Sequence, residues 1–320
     1  MSNNNNHEND IQKNDVLENR SNKQSKTKRL LIVAILLSAF TGIVISYMRR
    51  RGIDSSALLY IGIPTFIALA FAFTSTSKSK SIMGSTLKAI TFIILISGPL
   101  LQEGYICMIM AAPILYIIGA LAAWPFDHYR KKKQNGSKLN MIILPALLVF
   151  MSMEGVIDET SFNRFNTVEH EQIINSSIAD IRKRIGSSRP LDAPNSLFAK
   201  IFPRPDTINA NGIDIGDTMW IDVSYFKWIY WNEKRGKVQY KVTENEVNYL
   251  KFSPTMDSSY FKSYMTWKDT VVILKPVSKN KTKVTWRISF QRDIDPAWYA
   301  QPLQRYAVAA AAEVLVESLQ

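Results

Sequence analysis

Side chains able to do acid–base or metal chemistry are sparse in this 320-residue chain. Three histidines occur: His7 in the polar N-terminal stretch, His128 in a basic loop, and His170 between Glu169 and Glu171. On a strand, both glutamates would point away from His170, so this trio reads as a solvated strand face and not as a zinc or proton-relay site. Asp222, Asp257 and Asp269 could reach a cavity, yet isolated acids in a mixed-charge region are mostly surface residues. No nucleophile elbow, phosphate-binding loop, dinucleotide fingerprint or metal-ligand spacing occurs. No set of residues specifies an enzyme, and no cofactor is expected.

A second polar group stands between apolar runs, at Gln102-Glu103-Gly104-Tyr105-Ile106-Cys107. A charge at mid-membrane costs roughly 2.5–3.5 kcal/mol on insertion scales. Glu103 is therefore either a solvated loop residue, the reading we favour, or a polar site within the membrane. Cys107 is the single cysteine, which leaves no internal disulfide, and a small apolar role suits it better than a reactive one.

Aromatic residues are the richer resource. Trp220, Tyr225, Trp267, Trp286, Trp298, Tyr299 and Tyr306 crowd into the C-terminal half. Most should be ordinary core. Some of them, with Trp267, Trp286, Trp298, Tyr299 and Tyr306 as candidates, are expected to wall an apolar cavity for a hydrophobic small molecule.

The elements that would position them can be read from periodicity. Asp295 and Pro296 look like the cap and first residue of a long C-terminal helix. Along it, Gln301, Arg305, Glu313 and Glu317 form a polar stripe, while Leu303, Ala307, Ala310 and Val314 line an inner face. Val284, Trp286, Ile288 and Phe290 alternate with polar residues, as do Val238, Tyr240 and Val242, which predicts half-buried strands. Strands are expected at 166–174, 218–226, 228–233, 237–243, 246–252, 267–275 and 283–290, with a hairpin tip at Lys279-Asn280-Lys281. Ser177 and Asp180 make a capping-box pattern before Ile178, Ile181 and Ile185, with Gly186 as a stop. A short helix near 196–202 would complete a small helical insert.

Three stretches carry a resemblance: Val284-Thr285-Trp286-Arg287-Ile288-Ser289-Phe290, Asp295-Pro296-Ala297-Trp298-Tyr299, and Pro302-Leu303-Gln304-Arg305-Tyr306-Ala307-Val308. Together they resemble the end of membrane-attached SRPBCC proteins, the START-like or polyketide cyclase and lipid-transport superfamily. The likeness is clearest over 264–317, and the Glu-Gly-x-x-Cys at Glu103 is similar too. It implies an α+β helix-grip fold, a curved antiparallel sheet around a long C-terminal helix with an apolar cavity between them. It implies no single activity, because that superfamily includes carriers, cyclases and receptors.

The first half is different in kind. Residues 1–28 are Asn-, Lys- and Ser-rich, as expected of a disordered tail. Residues 29–153 hold five apolar runs, at 30–48, 57–73, 87–101, 105–124 and 139–153. The first has spanning length and no cleavage site, so it reads as a retained anchor. The net charge of +12 is concentrated here, with 17 Lys and Arg against seven Asp and Glu in residues 1–153, and 22 against 20 in 154–320. No basic helix interleaved with aromatic residues occurs, so nucleic acid is not expected as a partner. With five crossings and the N-terminus inside, inner segments hold 14 Lys and Arg against three outside. The positive-inside rule then puts the N-terminus in the cytoplasm and 154–320 outside the inner membrane of a bacterium.

Three function classes follow. One is a membrane-tethered binding or carrier domain for a lipid or other hydrophobic molecule. The others are a cyclase- or hydrolase-type enzyme and a non-catalytic membrane assembly protein. An apolar cavity favours the first, convergent buried acids the second, and a filled interior with an exposed apolar patch the third.

Overall fold

Four of the five apolar runs of the first half are helical. A π-helical turn (Leu58–Gly62) leads into α1 (Ile63–Thr74), followed by α2 (Ile82–Leu101), α3 (Tyr105–Lys131) and α4 (Lys138–Met151). The computed structural model describes residues 47–48, 55–74, 81–101, 105–131, 138–193, 202–228 and 231–320. The run at 30–48 therefore lies outside the described residues but for Tyr47 and Met48, which are helical. Asp127, near the end of α3, accepts hydrogen bonds from the Ile82 and Met83 N–H groups at 2.8 and 3.0 Å. It thus caps the start of α2 and fixes α2 and α3 as an antiparallel pair. His128 is in the last turns of α3, its ring 5.5 Å from Trp124, and not in a loop as its basic neighbours suggested. Over Met108–Arg130, 23 residues, α3 is long and apolar enough by length and composition to cross a bilayer. The other apolar helices are shorter.

The second half is an α+β helix grip. Its strands are β1 (Phe165–Ile174), β2 (Arg189–Pro190), β3 (Arg204–Ala210), β4 (Thr218–Trp228), β5 (Trp231–Glu246), β6 (Tyr249–Asp257), β7 (Met265–Ser278) and β8 (Lys281–Arg292). All pairings are antiparallel, in the order β1-β8-β7-β6-β5-β4-β3-β2. The inner face is set by the period of two: Val284, Trp286, Ile288 and Phe290 of β8 are buried beside Val168 and Ile174 of β1. Outward, Glu169 and Glu171 pair with Arg287 at 2.6 Å and Lys283 at 2.5 Å, which makes that face a solvated one. The β7–β8 hairpin turns between Ser278 and Lys281, as the sequence predicts.

Three strand assignments needed structure, among them β2, which at two residues is too short to carry a pattern. The strand expected at 228–233 is not a separate one among the described residues: Trp228 ends β4 and pairs with Trp231, where β5 begins and runs on to Glu246. Gly236 permits this, because a Cβ there would come 2.5 Å from the Ser259 Cα. β3 escaped prediction because it contains Pro205, tolerated at a register shift between Pro205 and Thr207. Of the predicted helix at 196–202, only Phe202 is among the described residues, and it is not helical.

Helix α5 (Ile178–Ile185) follows β1. The Ser177 hydroxyl accepts the Asp180 N–H at 3.2 Å, and the Gly186 N–H closes the other end on Arg182. The terminal helix, α6 (Ala297–Glu317), lies along β1 and β8. Its end is held by Arg184, which donates to the Leu319 and Gln320 carbonyls at 2.5 and 2.6 Å, a cation placed at the negative end of the helix. Two expectations about α6 are corrected. The cap position is Pro296, with no side-chain cap, because Asp295 is turned inward onto arginines. The inner face is Ala300, Gln304, Val308, Ala312 and Leu315; of the residues expected there Val314 is buried, while Leu303, Ala307 and Ala310 are only half-buried. The Gln304 amide can face inward because its Nε2 donates to the Tyr264 carbonyl at 2.9 Å.

Candidate functional site

Between the sheet and α6 the interior is close to full. Among the described residues a space of about 40 Å³ lies there, lined by residues that include Tyr240, Trp267, Thr270, Trp286, Ile288 and Leu315. That is room for a water molecule and not for a ligand of lipid size. Trp286 is wholly buried, and Trp267 packs edge-on against Phe261 and Phe290, ring centroids 5.4 and 6.5 Å away. Burial pushes the Tyr240 phenol up, and it stays neutral.

A second, larger space of about 930 Å³ lies outside the grip, where α4 meets the start of α6. One wall is the outer face of α6, with Trp298, Gln301, Pro302 and Arg305 at i, i+3, i+4 and i+7. Opposite stand Phe150, Met151, Met153 and Glu154 at and just beyond the end of α4, and Thr160 and Phe162 from the segment leading into β1. Phe150 is 77% exposed, Phe162 67% and Trp298 48%, so large apolar side chains converge here without covering one another.

Below the pocket is a buried ionic cluster. The strand parity that buries Trp286 and Phe290 also turns Arg292 inward, where it is wholly buried. Its guanidinium donates to the Asp295 carboxylate and the Ile294 carbonyl, and lies 3.8 Å from Glu154. Arg164 holds the other Asp295 oxygen at 2.6 Å. Glu154 Oε1 accepts the Ala297 N–H at 2.8 Å, while its carbonyl accepts the Ala57 N–H at 2.9 Å. The Asp295 N–H in turn reaches the Ser55 carbonyl at 2.7 Å. One cluster thereby ties the helical half, the end of β8 and the start of α6. Burial, reinforced by the neighbouring Asp295 charge, pushes the Glu154 carboxyl above its ordinary range. Gly155 has φ +77°, and a Cβ there would fall 1.8 Å from an Asp295 oxygen, so only glycine fits against the cluster.

The five aromatic candidates are divided between these places. Trp267 and Trp286 border the small interior space. Trp298 walls the outer pocket. Tyr299 packs among the N-terminal helices and donates its hydroxyl to the Met110 carbonyl of α3, a contact that joins the two halves. Tyr306 is 39% exposed, its ring 6.2 Å from that of Phe202. Glu103 lies outside the described residues, and Cys107 falls in the first turn of α3. Asp222, Asp257 and Asp269 do not converge. Asp222 meets Asn209 at 2.9 Å, Asp257 accepts the Ser259 N–H at 2.7 Å, and Asp269 binds Ser253 at 2.7 Å and Lys251 at 3.1 Å. Sequence reasoning missed Glu154, Phe162, Arg164 and Arg292. Only Arg292 had a signal, its even position on β8.

No family model and no curated protein sequence matches the chain. Among solved structures it is similar to a START superfamily protein from Mycobacterium smegmatis, at 11% identity and a TM-score of 0.32, over 48% of this chain and 93% of that one. A Zhui aromatase/cyclase from Streptomyces sp. R1128 aligns at 11% identity and 0.30, over 48% and 93%. A major latex-like protein from Panax ginseng aligns at 15% and 0.27, over 48% and 99%. The fold is a helix grip. That assignment rests on the element order, the sheet order and the terminal helix described above.

Proposed function

We propose that the chain is a membrane-tethered binding domain for a lipid or other hydrophobic small molecule. In this reading the N-terminal helices sit in the inner membrane of a bacterium, with the N-terminus in the cytoplasm and the helix grip on the outer side. The observation that carries it is the open apolar pocket of about 930 Å³ at the junction of the two halves, within the size range of small-molecule sites. Tethering is supported by helices that are apolar on their outer as well as inner faces, with Phe66, Phe73, Leu95, Ile117 and Phe150 all exposed. Orientation is supported by the asymmetry of Lys and Arg between alternate segments.

A non-catalytic assembly role is the second reading, and the nearly filled interior of the grip favours it. Cyclase- or hydrolase-type chemistry draws less support, because among the described residues no Asp, Glu or His lines that space.

The tethering is tested by reporter fusions after Gln320. A reporter active only outside the cytoplasm should work there, and one active only inside should be silent. The reverse pattern would overturn the orientation, and a chain recovered in the soluble fraction would overturn the tether.

A further inference from the structure

We propose that the junction pocket seats one anionic bilayer phospholipid, with an acyl chain along the apolar wall and its phosphate on Arg305. This deepens, and rests on, the membrane-tethered binding function proposed above. It places the ligand outside the grip, against the outer face of α6, and not between helix and sheet.

The chain end of the site is built by Phe150, Met153, Phe162, Trp298 and Pro302. These side chains give the pocket an apolar wall and leave large ring surfaces exposed. The polar end is Arg305, two helical turns beyond Trp298 on the same face of α6. Its Nη1 donates to the Thr167 carbonyl at 3.0 Å, and among the described residues it forms no ion pair. A guanidinium has five N–H donors, so most of this one is open to a planar or tetrahedral anion. The one carboxylate in the pocket does not oppose that choice. Glu154 is turned into the buried cluster, bonded to the Ala297 N–H and 3.8 Å from Arg292.

The source of the chain follows from α4. Ile143, Leu147 and Phe150, at i, i+4 and i+7, form an exposed apolar stripe along one face, and Phe150 is also a wall of the pocket. If α4 is embedded in a bilayer, acyl chains cover that stripe. A chain following it enters the pocket without crossing water, which favours a bilayer lipid over a free fatty acid.

The test is native mass spectrometry of the full-length protein in detergent, offered phosphatidylglycerol, phosphatidylcholine or palmitate at equal concentration. The wild type should retain phosphatidylglycerol about tenfold better than phosphatidylcholine, the scale of one hydrogen-bonded charge pair. Arg305→Gln should bring the two phospholipids level, lowering phosphatidylglycerol more because the choline cation beside the phosphate of phosphatidylcholine already weakens its pairing with Arg305. Trp298→Ala should lower both. Equal retention of the phospholipids by the wild type, or a preference that survives Arg305→Gln, would overturn the inference while leaving the binding function standing. Palmitate retained above phosphatidylglycerol would overturn the bilayer source. No retained ligand with any form would remove the binding function itself.

Discussion

Truncating Trp286 to alanine should destabilise the C-terminal domain by on the order of 3–5 kcal/mol and leave lipid retention unchanged. The side chain is wholly buried on β8, beside a space of about 40 Å³. Removing the indole leaves a large cavity in a sheet paired on both sides, which can collapse little. Tyr306 makes the internal control. At 39% exposure it already faces solvent along much of its ring, so Tyr306→Ala should cost far less, about 1 kcal/mol. The measurement is the denaturant midpoint of the full-length protein in detergent, paired with lipid retention for each variant. A mild Trp286→Ala whose retention changes would show that the interior opens to ligand after all.

The second large effect is expected at the ionic cluster. Arg292→Met should cost about 3–5 kcal/mol, because it leaves the Asp295 carboxylate buried with Arg164 alone and Glu154 without its nearest cation. The penalty should be strongly non-additive. Combining Arg292→Met with Asp295→Asn removes the stranded charge, so the double variant should be more stable than the sum of the single effects implies. Additive behaviour would mean that Arg292 contributes packing volume and nothing electrostatic. Because the Asp295 N–H bonds to Ser55 and the Glu154 carbonyl to Ala57, the same lesion should also loosen the helical half from the grip.

Much of the fold was legible because it is periodic. The alternation at Val284, Trp286, Ile288 and Phe290 gave both the strand and its buried face, and Ser177 with Asp180 gave the start of α5. Extending the same parity by one step would have turned Arg292 inward. That step was missed because an arginine at a strand end is ordinarily solvated. Asp295 was misread for a related reason. Next to Pro296 it has the local chemistry of a cap, and its partner Arg164 is 131 residues away, beyond any local pattern. The inner face of α6 was misplaced because Gln304 counts as polar until the Tyr264 carbonyl is seen to meet its amide. The pocket was the least legible feature, since its walls come from 150–162 and 298–305. Of the aromatic candidates, Trp298 alone lies on it, and the sequence offered no means of telling its outward ring from the inward ring of Trp286.

The central claim is that the hydrophobic ligand sits at the junction and not within the grip. Photo-crosslinking of the full-length protein in membranes with a lipid carrying a photoreactive acyl chain, followed by peptide mapping, addresses it directly. Label should concentrate in 150–162 and 298–305 and be lost when excess unlabelled anionic phospholipid competes. Label on the inward residues Tyr240, Trp267 and Trp286, or none above that of an unrelated membrane protein, would contradict it.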